Sequence, residues 1–283
     1  MSLKIVQPGI LSLLQDGGRT GQHRIGLTNG GPLDPEAFGY CNRLLQNPGG
    51  STAIEISFGG LQLEARTDTF ICLTGAAMPL RINNQEQRLW EVLPVKAGDT
   101  ISVEFAEKGC RAYLGVAGGF HIAPSFGSTA TVMREKIGGL RGDKLHAGDE
   151  LPCAEVSERK HLYLKEDHRP RYQNEATVRV IPGYQQKHFS RFQQRRFFSH
   201  AFKVSDRCDR MGYRLEGPAI ECDIEGILSE GICFGAIQIP ADGQPIVLLN
   251  DRQTIGGYPK IGSALSLDCA HLTQLRPGGT VHF

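Results

Sequence analysis

The chain has 283 residues, of which 40% are hydrophobic and 22% charged, so a packed core is expected and disorder is not. Lysine and arginine number 31 against 30 aspartates and glutamates, so no global field favours nucleic acid or an anionic membrane as a partner. No apolar run approaches the ~20 residues that span a bilayer, and the N-terminus lacks a signal-peptide pattern. We therefore expect a cytoplasmic protein with one large or two ordinary domains.

Cysteine and histidine spacing indicates neither a disulfide framework nor a metal site. The eight cysteines form no C-x-x-C pair, and several, such as Cys72, lie in apolar runs. The nine histidines are dispersed and include no H-E-x-x-H. We expect reduced, mostly buried cysteines and no bound metal.

Turn signals dominate the chain and predict a mainly β protein with few helices. The 35 glycines and 15 prolines recur about every ten residues. The predicted strands cover residues 61–63, 69–73, 100–105, 111–116, 177–181, 232–239 and 246–249. One helix is predicted over 35–45, with Asp34 as its N-cap and Pro35 at its first position. A second is predicted over 185–199, where four phenylalanines should face inward and three arginines should face solvent; RNA binding is the alternative interpretation of those arginines.

Three sequence matches indicate an internal duplication. Residues 58–63 (FGGLQL) reappear as 234–239 (FGAIQI), residues 5–9 match 179–183, and residues 96–101 match 276–281. The offsets of 176, 174 and 180 agree to within a short loop. We predict two related units, 1–105 and 178–283, joined by a bridging segment over 106–177 that includes a charged surface stretch. Two copies of this size are domains rather than a solenoid.

A cluster of polar residues follows the apolar run 245–249 and is the candidate site. Asp251 is a candidate general base or a group that orients Arg252, and Arg252 and Lys260 are candidates for holding a carboxylate, a phosphate or a developing oxyanion. These three are the predicted catalytic residues. Seven further residues are predicted to bind the substrate through hydrogen bonds from their side chains or backbone. They are Arg210, Gln238, Gln253, Thr254, Gly256, Gly257 and Tyr258.

The alternative is a solvated hairpin loop with purely structural residues, and the hypothesis rests on the cluster rather than on any single member. Structural or secondary roles are predicted for Gln15, Asp16, Arg19, Asp34 and Glu230, with Asp16 and Arg19 pairing and capping a turn.

Several catalytic signatures do not occur. The chain has no G-x-x-x-x-G-K-[ST] phosphate loop, no G-x-S-x-G elbow and no G-x-G-x-x-G after a strand. Lys136, in the run MREK, lacks the surroundings of a biotin-accepting lysine. We expect ATP to be bound by or shared with partner subunits, and no covalent biotin on this chain.

Motifs along the whole chain resemble the allophanate hydrolase subunit 2 family, which includes biotin-dependent carboxyltransferase-like proteins. They are QDGGRTG at 15–21, GGPLD at 30–34, DRMGYRLEG at 209–217, SEG at 229–231, GAIQ at 235–238, DGQP at 242–245 and DRQTIGGYP at 251–259. The resemblance implies two duplicated cyclophilin-like β-barrel units with a few helices. It also implies an allophanate hydrolase subunit 1-like partner, with the active site near their junction.

The chain departs from the family pattern at two positions. Thr129 stands in the run GSTAT where the family has an arginine, and Cys208 stands where a serine usually precedes DRMG. If the family arginine binds a carboxylate or a carboxybiotin oxygen, its replacement by Thr129 indicates that the substrate can differ across the family.

The resemblance favours the C-type subunit of an ATP-dependent 5-oxoprolinase, a hydrolase that opens 5-oxoproline to L-glutamate. Two partner subunits are implied, a lactam-hydrolase-like A type and a subunit 1-like B type. On this hypothesis the chain alone is inactive. The alternatives are the carboxyltransferase component of a biotin-dependent urea or amide carboxylase, and a regulatory partner of a subunit 1-like kinase inhibitor.

Overall fold

The computed structural model describes residues 1–283 and shows a mainly β chain, which confirms the predicted fold class. It contains twenty-one strands and three α-helices. The chain divides into two compact units, one formed by Met1–Thr20 and Gly30–Tyr172, the other by Gly21–Asn29 and Gln173–Phe283.

The first unit is built from two antiparallel sheets. Its strands are β1 (Ser2–Pro8), β2 (Leu11–Gln15), β3 (Ala53–Ser57), β4 (Leu61–Ala65), β5 (Thr69–Ala77), β6 (Leu80–Ile82), β7 (Gln85–Gln87), β8 (Leu93–Val95), β9 (Thr100–Val103), β10 (Lys108–Val116) and β11 (Glu150–Pro152). The sheet orders are β11-β1-β4-β9-β6-β7 and β2-β3-β10-β5-β8. Strand β4 buries alternate residues, as expected for one apolar face. Both sheets contribute to one core, with Leu63 from β4 and Ile54 from β3 fully buried.

The bridging segment predicted over 106–177 lies within the first unit as far as Tyr172. Strand β10 pairs with β3 on one side and β5 on the other, so it is the central strand of its sheet. Strand β11 pairs with β1 at the edge of the other sheet. The sequence match ended near residue 105, but hydrogen bonding extends the unit well beyond it.

Helix α1 (Pro35–Leu44) forms where it was predicted. The Asp34 carboxylate accepts a hydrogen bond from the Ala37 N–H at 3.0 Å, and Pro35 occupies the first turn. Asp34 also accepts from the Tyr172 hydroxyl at 2.8 Å. The cap is therefore fixed from two directions in a buried position.

The second unit is dominated by one eight-stranded sheet. Its strands are β12 (Glu175–Thr177), β13 (Val180–Pro182), β14 (Phe202–Cys208), β15 (Gly212–Glu216), β16 (Glu230–Gly231), β17 (Ala236–Gln238), β18 (Ile246–Leu248), β19 (Ile255–Gly256), β20 (Lys260–Ala264) and β21 (Thr280–His282). The large sheet has the order β12-β21-β14-β15-β18-β17-β20-β13, and β16 pairs with β19 separately. The two edge strands, β12 and β13, are consecutive in the chain. A span of three residues reaches only about 10 Å, so the sheet must curl until its edges approach each other.

This curl explains why the predicted strand 177–181 is split in two. Strand β12 pairs parallel with β21, whereas β13 pairs antiparallel with β20. The predicted strand 232–239 is also shortened, to β17. Gly235 has φ +77 and the Ala236 N–H donates to the Cys233 carbonyl, which makes a turn ahead of the strand.

The helix predicted over 185–199 is two segments. A 3₁₀ turn covers Tyr184–His188, and α2 (Arg191–Ser199) starts after the N-cap Ser190, because Phe189 is extended. Phe197 is buried, but Phe192 is 68% exposed, so not all of the phenylalanines face inward as expected. Helix α3 (Ser266–Leu272) was missed.

Two of the sequence matches share a local geometry. Gly59 and Gly235 both have positive φ, and an added Cβ would lie 2.1 Å from a backbone oxygen at Gly59 and 2.5 Å from one at Gly235. Gly98 and Gly278 both have positive φ in the turns before β9 and β21. Only glycine fits the first pair, since its backbone approaches another strand closely.

All eight cysteines are free, and Cys233 is the exposed one. None of the helices has the length and apolar character that a membrane crossing requires.

We predict that Asp34→Ala lowers the free energy of unfolding by about 1–2 kcal/mol, because the α1 cap is lost. Asp34→Asn should retain most of the stability, since asparagine caps equally well. Urea unfolding of the three proteins followed by circular dichroism tests this. An equal loss of unfolding free energy in both variants would show that the charge of Asp34, and not its capping hydrogen bond, stabilises the protein.

Candidate functional site

Two cavities in the second unit contain most of the predicted site residues. The Arg252 cavity has a volume of about 370 Å³ and is lined by Arg252, Gln238, Gln253, Gly256, Gly257 and Tyr258 among others. The Lys260 cavity has about 160 Å³ and includes Lys260, Glu230, Tyr184 and Cys233 in its wall. The residues that the sequence placed in one cluster are thus divided between two cavities, except for Arg210, Asp251 and Thr254, which line neither.

Arg252 is a buried cation that is held by carbonyl groups rather than by a carboxylate. Its Nε donates to the Ile232 carbonyl at 3.1 Å and one terminal nitrogen donates to the Leu249 carbonyl at 3.2 Å. The guanidinium also lies 6.0 Å from the centre of the Phe234 ring. Burial lowers the pKa of Arg252. Since its charge is not neutralised by an acid, the side chain is suited to receive an anionic ligand.

Asp251 pairs with Arg210 and not with Arg252. The Arg210 guanidinium donates to both carboxylate oxygens of Asp251, at 2.9 and 3.0 Å, and both side chains are 8% exposed. The Asp251 N–H donates to the Arg210 carbonyl at 2.9 Å, so the two loops are joined by backbone as well. Neither residue lines the Arg252 cavity or the Lys260 cavity. Their geometry is that of a buried clamp that fixes the backbone from which Arg252 projects.

The predicted amide and glycine residues contribute in different ways. Gln238 is buried and Gln253 exposed, and both line the Arg252 cavity. Gly256 and Gly257 lack positive φ, and their role is steric, because a Cβ on Gly256 would lie 2.5 Å from the Ile232 side chain. Thr254 does not line the cavity, and its carbonyl accepts a hydrogen bond from the Ile232 N–H.

Additional cations surround the Arg252 cavity and were not singled out from the sequence. Arg207 and Arg214 line it together with one acid, Asp209. Asp209 accepts from the Met211 and Gly212 N–H groups in the β14–β15 turn, and Arg214 pairs at 3.2 Å with the exposed Asp242. Alternation along strand β15 would have indicated that Arg214 and Gly212 share a face.

The remaining wall of this cavity is apolar. Met211, Ile232, Ile246 and Leu248 line it. A cationic cavity with an apolar wall and two amide side chains fits a small organic anion that also carries hydrogen-bonding groups.

The Lys260 cavity contains a connected polar network. Lys260 forms an ion pair with Glu230, which also accepts hydrogen bonds from the Tyr184 hydroxyl and, at 3.0 Å, from Gln185 Nε2. Lys260 and these donors lower the pKa of Glu230. The hydrogen bond between Tyr184 and Glu230 raises the pKa of Tyr184. Tyr184 and Gln185 were not among the predicted residues; their position after the repeated Pro-Gly at 182–183 was the available signal.

The predicted secondary residues near the N-terminus stabilise a turn in the first unit. Gln15 bridges the Thr131 carbonyl and the Gly31 N–H, each at 3.0 Å. Arg19 is buried and donates to the Ala130 carbonyl at 2.6 Å.

Asp16 caps the turn through the Gly18 N–H, but its other partners are the Ser128 hydroxyl and the Thr129 N–H, not Arg19. Thr129 hydrogen-bonds Thr52 at 2.7 Å. No group of histidine, cysteine, aspartate and glutamate side chains in the chain is arranged to hold a metal ion.

We predict that Asp251→Ala lowers the free energy of unfolding by about 3–5 kcal/mol, because it removes the carboxylate that accepts two hydrogen bonds from the buried Arg210 guanidinium. Asp242→Ala, which breaks the exposed pair with Arg214, should cost less than about 1 kcal/mol. Denaturant unfolding of both variants gives the comparison. Similar small losses in both would contradict a stabilising clamp.

Comparison with known proteins places this chain in a family. The model of the carboxyltransferase domain, subdomain A and B, matches residues 25–283. The Escherichia coli protein named as the C subunit of 5-oxoprolinase is 37% identical over 282 residues, which cover 99% of this chain and 90% of that one.

Solved structures give the same result. TTHA0988 superposes on the whole chain with a TM-score of 0.90 at 32% identity, and the chain spans 55% of its length. The K. lactis urea amidolyase superposes with a TM-score of 0.92 at 27% identity, over 18% of that much longer protein. The chain therefore belongs to the carboxyltransferase domain family, subdomains A and B.

Proposed function

We propose that the chain is the C-type subunit of an ATP-dependent, multi-subunit 5-oxoprolinase, which hydrolyses 5-oxoproline to L-glutamate. The proposal is supported by the E. coli relative of that name, almost all of which the chain covers. The observation that carries it is the Arg252 cavity, where a buried arginine without a carboxylate partner lies beside two amide side chains.

The chemistry of 5-oxoproline matches the groups in this cavity. Its carboxylate suits the Arg252 guanidinium, which can donate two parallel hydrogen bonds. Its lactam has one N–H and one C=O, and the carboxamides of Gln238 and Gln253 each offer a donor and an acceptor for them. Its ring methylenes suit the wall formed by Ile232 and Leu248.

The roles of the predicted catalytic residues differ in this proposal. Arg252 holds the substrate carboxylate, and Asp251 acts through Arg210 as a positioning residue rather than as a base. Lys260 faces the other cavity and does not contact the same substrate. The lactam is a stable amide, so its opening requires activation of the carbonyl. We assign that step to ATP that is bound by or shared with A- and B-type partner subunits in the cytoplasm, with no covalent biotin on this chain.

The second candidate is carboxyl transfer in a biotin-dependent urea or amide carboxylase. The superposition on urea amidolyase with a TM-score of 0.92 favours it. A cationic cavity that receives the carboxylate of 5-oxoproline would also receive a carboxylated donor group. The two functions differ in product, since one releases glutamate and the other a carboxylated amide.

We predict that Arg252→Met lowers kcat/KM for 5-oxoproline by about 10- to 100-fold in the complex reconstituted with A- and B-type subunits. The reason is the loss of charge-assisted hydrogen bonds, worth about 1.5–3 kcal/mol. Arg195→Met, on the exposed face of α2, is the matched control and should leave kcat/KM unchanged. Glutamate release is the measurement. Normal kcat/KM in Arg252→Met would remove the cavity from the reaction, and a carboxylated amide as product would support the second candidate.

We also predict that the isolated chain hydrolyses no ATP, because it lacks a phosphate-binding loop. Phosphate release by the purified chain, compared with the reconstituted complex, tests this. Turnover by the chain alone that persists through further purification would place the nucleotide site here.

A further inference from the structure

The Lys260 cavity is not used by the proposed function, although it contains buried charged groups. The segment 231–233 separates it from the Arg252 cavity. Ile232 lines the Arg252 cavity, whereas Gly231 and Cys233 line the Lys260 cavity. Successive residues of an extended chain face opposite sides, so the two cavities open on opposite sides of this segment.

Both carboxylate oxygens of Glu230 accept hydrogen bonds in the Lys260 cavity. One oxygen of Glu230 receives the Tyr184 hydroxyl, and the other receives Gln185 Nε2 and faces Lys260. Three donors therefore share one carboxylate, which is held in its charged form. No acceptor in the network is left without a donor.

The ammonium group of Lys260 has more N–H donors than it has acceptors nearby. Lys260 is 9% exposed, and its ammonium has three N–H donors. Its one acidic contact is the ion pair with Glu230, and no other acceptor lies within hydrogen-bond distance of the buried Nζ, so two of the three N–H donors have no acceptor. Buried donors without acceptors are rare and costly, and their usual explanation is a water, an ion or a ligand at the site.

Size and surroundings restrict what can fill this space. The volume of about 160 Å³ is less than half that of the Arg252 cavity. Ser263 adds a hydroxyl, 3.2 Å from the Cys233 thiol. Arg252, on the other side of the segment, lies within electrostatic range of Cys233. Lys260 is paired with Glu230, and the other lining groups are mostly donors. Because Glu230 supplies one negative charge against the two cations Lys260 and Arg252, the remaining positive charge and donors suit a small anion.

We propose that the Lys260 cavity is a second binding site, separate from the Arg252 cavity, which takes a small carboxylate of about the size of acetate. The Lys260 ammonium donates to the carboxylate oxygens, and the Ser263 hydroxyl is placed to add a further hydrogen bond. Glu230, Tyr184 and Gln185 hold the lysine in position. This site stands independently of the 5-oxoprolinase proposal.

Cys233 provides a reporter for occupancy of this cavity. It is the exposed cysteine and lines the wall, while Cys208 and Cys222 are partly buried and lie elsewhere. The full chain is alkylated with iodoacetamide in sodium acetate or in sodium chloride of equal ionic strength, and labelling rates are read for each cysteine by peptide mass spectrometry. At an acetate concentration ten times Kd we expect Cys233 to label about 11-fold more slowly. The rates at Cys208 and Cys222 should not change.

Acetamide is the matched ligand control, because it has the shape of acetate without its charge, and it should not protect Cys233. Lys260→Met should abolish protection by acetate, whereas Arg252→Met should retain it. A thermal melt checks that both variants fold, and the comparison of acetate with acetamide on the natural chain needs no variant.

Equal Cys233 labelling in acetate and chloride, or equal protection by acetamide, would overturn the proposal. So would protection that survives Lys260→Met in a folded protein, or that is lost only in Arg252→Met. None of these results bears on turnover of 5-oxoproline, so the two proposals can fail separately.

Discussion

The buried pair of Arg210 and Asp251 is the constraint on which the candidate site depends. It joins the turn before β15 to the loop after β18 through two side-chain hydrogen bonds and one backbone hydrogen bond. A buried pair of this kind contributes little net stability compared with an apolar pair, but removing one partner is costly. What the pair provides is a fixed position for the next residue, Arg252, whose own charge is held only by carbonyl groups. Asp251 thus neutralises the charge of Arg210, and the charge of Arg252 remains available for an anionic ligand.

The curled sheet of the second unit determines what the arginine faces. Strands β15, β17 and β18 are neighbours in that sheet and supply Arg214, Gln238 and Leu248 to one cavity. Strand β16 contains Glu230 and pairs with β19. The segment 231–233, which begins in β16, lies between the Arg252 cavity and the Lys260 cavity. Because that segment is extended, it gives one side chain to each cavity in turn. Two cavities of different size thus lie on the two sides of one chain segment.

The fold was largely accessible from the sequence, because its signals are local. Turn residues and apolar runs predicted seven strand regions, each of which overlaps a strand of the structure, and Asp34 followed by Pro35 predicted the start of α1. The repeated glycines Gly59 and Gly235 are explained by backbone approaches that exclude a side chain. Where prediction failed, long-range pairing decided the outcome. Residues 106–172 lacked a matching repeat, yet β10 lies at the centre of a sheet, and strand 177–181 was divided because its two halves bond to opposite edges.

By itself, the sequence determined the fold class and the family, and it predicted an internal duplication and a set of polar residues near the end of the chain. It did so because periodicity, turn chemistry and motif order are properties of short segments. Only the tertiary structure decided which of those residues act together. Asp251 was expected beside Arg252 and lies against Arg210, and Lys260 was expected in the same cluster and faces another cavity. Adjacent positions in a sequence do not fix the direction of a side chain or its partner, because both depend on strands that are distant in the chain and on the competition of buried charges for the same acceptors.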